Sequence, residues 1–82
     1  MVFLAITAGG LQDALRASGG GTIAVWCGAD AISEADYASL EHANLSRFIY
    51  PLRGEVEDVL AGAIDTIKEH HPGESVWVEN CA

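Results

Sequence analysis

Basic residues are scarce in this sequence, which has a total of four lysines and arginines against twelve aspartates and glutamates. The resulting net charge of −8 repels a phosphate backbone, so the composition argues against ordinary nucleic-acid binding. The excess of acid leaves three interpretations open. It can serve solubility, it can bind a basic partner protein, or it can imitate the charge of a nucleic acid.

Cysteine is also scarce, with Cys27 and Cys81 as the only two. Two cysteines are too few for the disulfide framework of a small secreted domain, so we expect two free thiols. Cys27 ends an apolar segment and is followed by Asp30, Glu34 and Asp36, whose carboxylates disfavour a thiolate. We therefore expect Cys27 to be buried and inert, and Cys81 to be exposed.

Long hydrophobic runs are absent from the sequence. No apolar segment approaches the roughly 18–20 residues that span a bilayer, and the first ten residues lack the positive charge and longer apolar stretch of a signal peptide. These features predict a cytoplasmic protein without a membrane partner. Half of the residues are hydrophobic and a fifth are charged. That composition is globular, and residues 1–82 have the length of a single domain.

Recognisable catalytic and metal-binding patterns are missing as well. The sequence has no Cys-x-x-Cys pair, no serine in a nucleophile-elbow pattern and no calcium-loop spacing of acids. His70 and His71 are adjacent, so they do not share a helix face as a zinc pair does. We therefore predict no catalytic residue, no metal ligand and no cofactor, and we favour a non-catalytic protein-interaction or regulatory module.

Apolar segments alternate with helical patterns along the chain. Apolar runs predict strands over residues 2–7, 22–27, 47–52 and 75–79. Helical spacing and a capping signal at Ser33 and Asp36 predict helices over residues 11–18, 32–43 and 54–71. The last helix has the clearest pattern, with one apolar face formed by Val56, Val59, Leu60, Ala63, Ile64 and Ile67.

The element order β-α-β-α-β-α-β predicts a small three-layer α/β domain with a four-stranded parallel sheet. We predict the strand order 2-1-3-4, because it places the two most apolar strands side by side and leaves the alternating last strand at an edge. This architecture is similar to small flavodoxin-like modules such as the phosphotransferase-system IIB domains. Those domains carry a phosphorylated cysteine just after the first strand, where this chain has Ala8, Gly9 and Gly10.

The predicted order places one candidate site at the carboxyl ends of the strands, where the order reverses between strands one and three. Thr7, Gly9 and Gly10 follow the first strand, and Arg53 follows the third. Glycine N–H groups and a guanidinium suit a small anion such as phosphate. The alternative function is therefore a phosphate-type anion-binding enzyme or carrier that uses these two loops, although Gly9-Gly10 matches neither the dinucleotide pattern nor the phosphate-loop pattern.

The last predicted strand provides the candidate interface. Val76 and Val78 alternate with Trp77 along it, and an exposed tryptophan on an edge strand is a common anchor of protein interfaces. We expect Val76, Trp77 and Val78 to contact a partner protein, and charge favours a basic one. A weak homodimer through residues 74–80 is one form of this contact. The competing interpretation is that Trp77 packs in the core.

Overall fold

The computed structural model describes residues 1–19, 23–40, 44–52 and 57–79. Within these residues, strands and helices alternate as the sequence predicts. The strands are β1 (Val2–Ala5), β2 (Ala24–Cys27), β3 (Leu45–Arg47) and β4 (Val76–Val78). The helices are α1 (Ala8–Ala17), α2 (Glu34–Ser39) and α3 (Glu57–His70).

The four strands form one parallel sheet in the order β3-β2-β1-β4. Along β1, Val2 lies opposite Ala24 of β2 on one side and opposite Val76 of β4 on the other. β2 pairs with β3 through Val25 opposite Leu45. The predicted α/β class, the pairing of β1 with β2 and the edge position of β4 are confirmed.

The predicted strand order 2-1-3-4 is wrong, because β3 pairs with β2 and does not stand between β1 and β4. The third strand also lies earlier than predicted, over Leu45–Arg47 instead of residues 47–52. This short strand carries Ser46 and Arg47, and polar side chains fit the edge of a sheet better than its centre. β1, in which three of the four residues are buried, takes an inner position instead.

Two apolar clusters use alternate residues of the β1 segment. The first joins β1 to α3 through Val2, Leu4, Ile6, Phe48, Leu52, Ala63 and Ile67. The second joins β1 to α1 and β2 through Ala5, Leu11, Val25, Cys27, Ala31 and Leu45. Successive side chains of a strand point in opposite directions, so α1 and α3 are anchored to different side chains of the same strand.

Helix α3 has the apolar stripe that the sequence predicts. Ala63 and Ile67 are fully buried, while Val56 lies outside the described residues. The partly buried members of the stripe are Val59, Leu60 and Ile64. Although α3 is the longest of the described helices, none of them has the length and apolar character needed to cross a membrane.

Side-chain caps set the starts of the first two helices. The hydroxyl of Thr7 accepts a hydrogen bond from the N–H of Gly10 at 3.0 Å, so α1 begins at Ala8 and not at the predicted residue 11. The hydroxyl of Ser33 accepts from the N–H of Asp36 at 3.1 Å. The second cap confirms the capping signal in the sequence.

Candidate functional site

The corrected strand order moves the reversal point of the sheet to the gap between β1 and β4. β2 separates β1 from β3, so the loops after strands one and three follow strands that are not neighbours. Thr7 lies at the new reversal point, with Gly9 and Gly10 in the first turn of α1. Arg53 lies outside the described residues, and a phosphate site that includes it stays a prediction.

The carboxylate of Glu79 lies at this reversal point. Its Oε1 accepts hydrogen bonds from the backbone N–H of Ile6 at 2.7 Å and of Thr7 at 2.8 Å. Its Oε2 accepts from the hydroxyl of Thr7 at 2.5 Å, and that hydroxyl accepts in turn from the N–H of Gly10. We call Ile6, Thr7, Gly10 and Glu79 the Glu79 clamp, because it ties the end of β4 to β1 and to the start of α1.

The Glu79 clamp places a negative group where the sequence predicts that an anion binds. The first N–H groups of a helix and the positive end of its dipole stabilise negative charge, and here the chain supplies that charge itself. A Cβ atom on Gly10 would stand 1.9 Å from Oε1 of Glu79. Glycine at this position is therefore required for the close approach of the carboxylate, and a free phosphate would have to displace Glu79 to reach the same donors.

The sequence did not point to Glu79 as a partner of Thr7. The two residues are 72 positions apart, and their contact depends on β4 lying beside β1. The available signal was the alternation along the last strand, which places Glu79 on the same side as Trp77. That signal does not identify the neighbouring strand, so it could not identify the donors.

An open groove of about 310 Å³ lies beside the clamp, between α1 and β4. Its lining includes the register partners Phe3 and Trp77, together with Asp13 of α1. Trp77 is 59% exposed and Val78 is 39% exposed, while Val76 is half-buried. The interpretation in which Trp77 packs in the core is therefore wrong, because most of its side chain faces solvent.

Cys27 is fully buried at the end of β2, as the sequence predicts. Burial raises the pKa of its thiol to about 11, while the Arg47 guanidinium opposes the rise and the Asp30 carboxylate adds to it. A thiol with this pKa keeps its proton at neutral pH. Cys27 is therefore a packing residue of the second apolar cluster and not a nucleophile.

We expect the buried Cys27 thiol to make the protein less stable at alkaline pH. The unfolded thiol loses its proton near its ordinary pKa of 9.0, whereas the folded thiol keeps it until about pH 11. The unfolded state then binds fewer protons than the folded state, so stability falls as pH rises. The contribution of the protonated thiol to the free energy of unfolding is complete below pH 9 and is lost as the pH rises through 11. The change is on the order of 2 kcal/mol.

Urea unfolding from about pH 8 to about pH 11 measures this loss. The matched variant is Cys27→Ala, which lowers stability at every pH through lost packing but removes the titrating group. We expect the difference in stability between the two proteins to shrink as pH rises. A difference that stays constant across this range would contradict the buried thiol.

Arg47 is a second residue to which the sequence did not point. Its guanidinium donates hydrogen bonds to the carbonyl oxygens of Ile32 at 2.8 Å and Ala29 at 3.1 Å. In the same loop, Oδ1 of Asp30 accepts from the N–H of Leu52 at 3.2 Å. These bonds hold the loop after β2 against β3 and against the segment that follows β3. The charged side chains of Arg47 and Asp30 therefore stabilise the fold.

A further network joins β2 to the end of α3. The indole N–H of Trp26 donates to Nε2 of His71 at 3.2 Å, and Nδ1 of His71 lies 3.2 Å from Oε2 of Glu74. An accepting Nε2 requires the proton on Nδ1, which then donates to Glu74. The rings of Phe48 and His70 pack near Trp26, with centroid distances of 5.1 and 5.4 Å. Nε2 of His71 thus joins the end of α3 to β2, and Nδ1 makes a local contact in the segment between α3 and β4.

Metal binding finds no support in the described part of the chain, where no three histidine, cysteine, aspartate or glutamate side chains are arranged to hold an ion. Comparisons of the chain with protein-family models, with curated proteins and with solved structures found no match. The Glu79 clamp and the exposed edge of β4 lie side by side at the reversal point of the sheet.

Proposed function

We propose that this protein is a small non-catalytic interaction module that binds a basic partner protein through β4. The observation that carries the proposal is Trp77, whose large apolar side chain is 59% exposed on an edge strand. Tryptophan anchors protein interfaces because it buries a large area with little loss of side-chain freedom. The side chain of Val78 is also partly exposed and lies on the opposite face of the same strand, because successive side chains of a strand alternate.

The charge of the chain favours a partner with basic residues. A net charge of −8 attracts such a protein, speeds the encounter and disfavours acidic competitors. Two of the described cations are already engaged within the chain, since Arg16 forms an ion pair with Asp13 and Arg47 donates to backbone carbonyls. Their charges are already counted in the net charge, which is still −8.

We also infer that β4 is presented by a three-layer scaffold, with α1 and α3 on opposite faces of the sheet. The two apolar clusters, which use alternate residues of β1, support this arrangement. The Glu79 clamp adds a rigid attachment where β4 ends. An interface anchor on a rigid element binds with less loss of conformational freedom than one on a mobile loop.

A second copy of this chain is the alternative partner at the same edge. A two-fold contact through residues 74–80 would bring both Trp77 side chains into one interface. Two subunits of charge −8 repel each other, so this homodimer would be weak and would tighten when salt screens the repulsion. A basic partner has the opposite salt dependence, because salt weakens an attraction between unlike charges.

Trp77→Ala tests the proposed function when it is compared with Ile49→Ala. Ile49 is 90% exposed and follows β3, at the opposite edge of the sheet. We expect the immobilised protein and Ile49→Ala to retain the same stoichiometric partner from a native lysate. With the purified partner, Trp77→Ala should bind at least about tenfold more weakly, because interface anchors contribute energies of this size.

The oligomeric state and the salt dependence separate the outcomes of this experiment. Equal partner binding by Trp77→Ala and Ile49→Ala would contradict an interface at β4. Sedimentation of the protein alone at low and high salt distinguishes the homodimer, which should form more readily at high salt and should disappear in Trp77→Ala. Absence of both a partner and a dimer would contradict the proposed function.

A further inference from the structure

The backbone of β4 has one side that is directed away from the sheet. Ser75 accepts a hydrogen bond from the N–H of Val2 at 2.8 Å, and the N–H of Glu79 donates to the carbonyl of Leu4 at 2.9 Å. Successive residues of a strand direct their backbone N–H and C=O groups to opposite sides. Ser75 and Glu79 therefore face β1, and Val76 and Val78 direct their N–H and C=O groups outward.

This outward edge is only partly protected against pairing with another strand. Natural sheets protect their edges with very short strands, charged side chains, proline, bulges or covering segments, and here the protection comes from the three-residue length of β4 and from the flanking Glu74 and Glu79. Val76–Val78 contains neither lysine nor proline, and among the described residues no strand lies beyond β4. The outward groups of Val76 and Val78 supply up to about four hydrogen bonds to an added strand.

The side chains around the edge define the chemistry of that strand. The exposed ring of Trp77 offers an apolar surface to a cross-strand neighbour. The nearest exposed acids, Glu74 and Asp13, are paired with the N-terminal amine and with Arg16, so the charge that acts on an incoming segment is the net charge of −8. An incoming segment with acidic residues would be repelled, whereas lysine or arginine would be attracted.

We propose that β4 accepts an extended segment of the partner protein as an added strand, in which lysine or arginine alternates with apolar residues. This inference rests on the proposed function and specifies how the partner binds. The backbone of the segment pairs with Val76 and Val78, and one apolar side chain packs on Trp77. The basic side chains, which alternate with the apolar ones, lie on the opposite face and are attracted by the net negative charge of the chain. A second copy of this chain fits less well, because its own β4 is bracketed by acids.

Three peptides with a common valine pattern test the proposal. Each has about eight residues, the length of an ordinary strand, and alternates valine with lysine, serine or glutamate. We expect the lysine peptide to bind at least about tenfold more tightly than the glutamate peptide at low salt, with the serine peptide between them. The advantage of the lysine peptide should fall several-fold when salt is raised from about 0.05 to about 0.5 M.

Val78→Pro tests the strand pairing directly. It removes an outward N–H and leaves the bonds between β4 and β1 in place, because proline is tolerated on the free side of an edge strand. The matched variant Val78→Thr keeps the N–H and the β-branched shape. We expect Val78→Pro to weaken binding of the lysine peptide at least about fivefold and Val78→Thr less than about twofold. Circular dichroism and thermal unfolding check that both variants fold.

Each remaining outcome overturns a defined part of the inference. Equal binding of the glutamate and lysine peptides would exclude the basic character of the segment. Unchanged lysine-peptide binding in Val78→Pro would exclude strand addition, as would binding to none of the three peptides. If the partner retained through Trp77 still binds the whole protein in these cases, the proposed function stands and only the inferred mode of binding fails.

Discussion

Replacing Glu79 with alanine should lower the free energy of unfolding by about 2–3 kcal/mol, the size expected when charge-assisted hydrogen bonds to partly buried donors are lost. The N–H groups of Ile6 and Thr7 and the hydroxyl of Thr7 would lose their carboxylate acceptor. Ile6 is only 6% exposed, so water replaces that acceptor poorly. Urea unfolding measures the loss, and hydrogen exchange should be faster at the amides of Ile6 and Thr7.

Glu69→Ala is the matched control for the loss of one acidic side chain. Glu69 is exposed on α3, so its removal changes the net charge equally and should alter stability by no more than about 0.5 kcal/mol. The variant Glu79→Gln keeps an acceptor oxygen without the charge and should lie between these results. If Glu79→Ala were as stable as Glu69→Ala, the clamp would contribute nothing to the attachment of β4.

Replacing Gly10 with alanine should lower the free energy of unfolding by about 1–2 kcal/mol, although alanine favours helices. The added Cβ would stand 1.9 Å from Oε1 of Glu79, so the carboxylate has to leave its donors. Gly9→Ala is the control in the same helical turn, because no atom lies within 4 Å of a Cβ placed there. That substitution should raise stability by roughly 0.5 kcal/mol. Urea unfolding of both variants measures the free energy of unfolding, which should fall in Gly10→Ala and rise in Gly9→Ala.

A double variant shows whether the cost at Gly10 arises from Glu79. In the Glu79→Ala background the obstructing carboxylate is gone, so Gly10→Ala should cease to destabilise and should behave like Gly9→Ala. The effects of the two substitutions would then be strongly non-additive, as expected for residues in contact. Additive effects would mean that Gly10 and Glu79 act independently and would contradict the geometry of the clamp.

The local structure of this chain was largely predictable because its signals are local. The spacing of Ala63, Ile64 and Ile67 determines which face of α3 is apolar, and Ser33 caps α2 through an N–H only three residues away. The apolar run of β1 and the glycines after it likewise predict a buried strand that turns into a helix. These features depend on residues that are near each other in the sequence.

The strand order was not predictable in the same way. β1 and β2 were expected to be neighbours from their apolar character, and the structure confirms this pairing. The position of β3 depends on which neighbouring strand lowers the free energy most when it pairs with the three residues Leu45–Arg47. Its polar residues favour the edge, but residues 47–52 are more apolar and predict the longer strand. A short segment carries too little pattern to decide between neighbours.

By itself, the sequence determined the α/β class, the net charge of −8 and the burial of Cys27. An anion site formed by Thr7, Gly9, Gly10 and Arg53 stays a prediction. Only the tertiary structure decided that the Glu79 carboxylate accepts hydrogen bonds at Thr7 and that the reversal point lies between β1 and β4. It also decided that Trp77 faces solvent. The physical reason is that helix formation and capping depend on neighbouring residues, whereas strand order depends on the free energy of packing the whole chain.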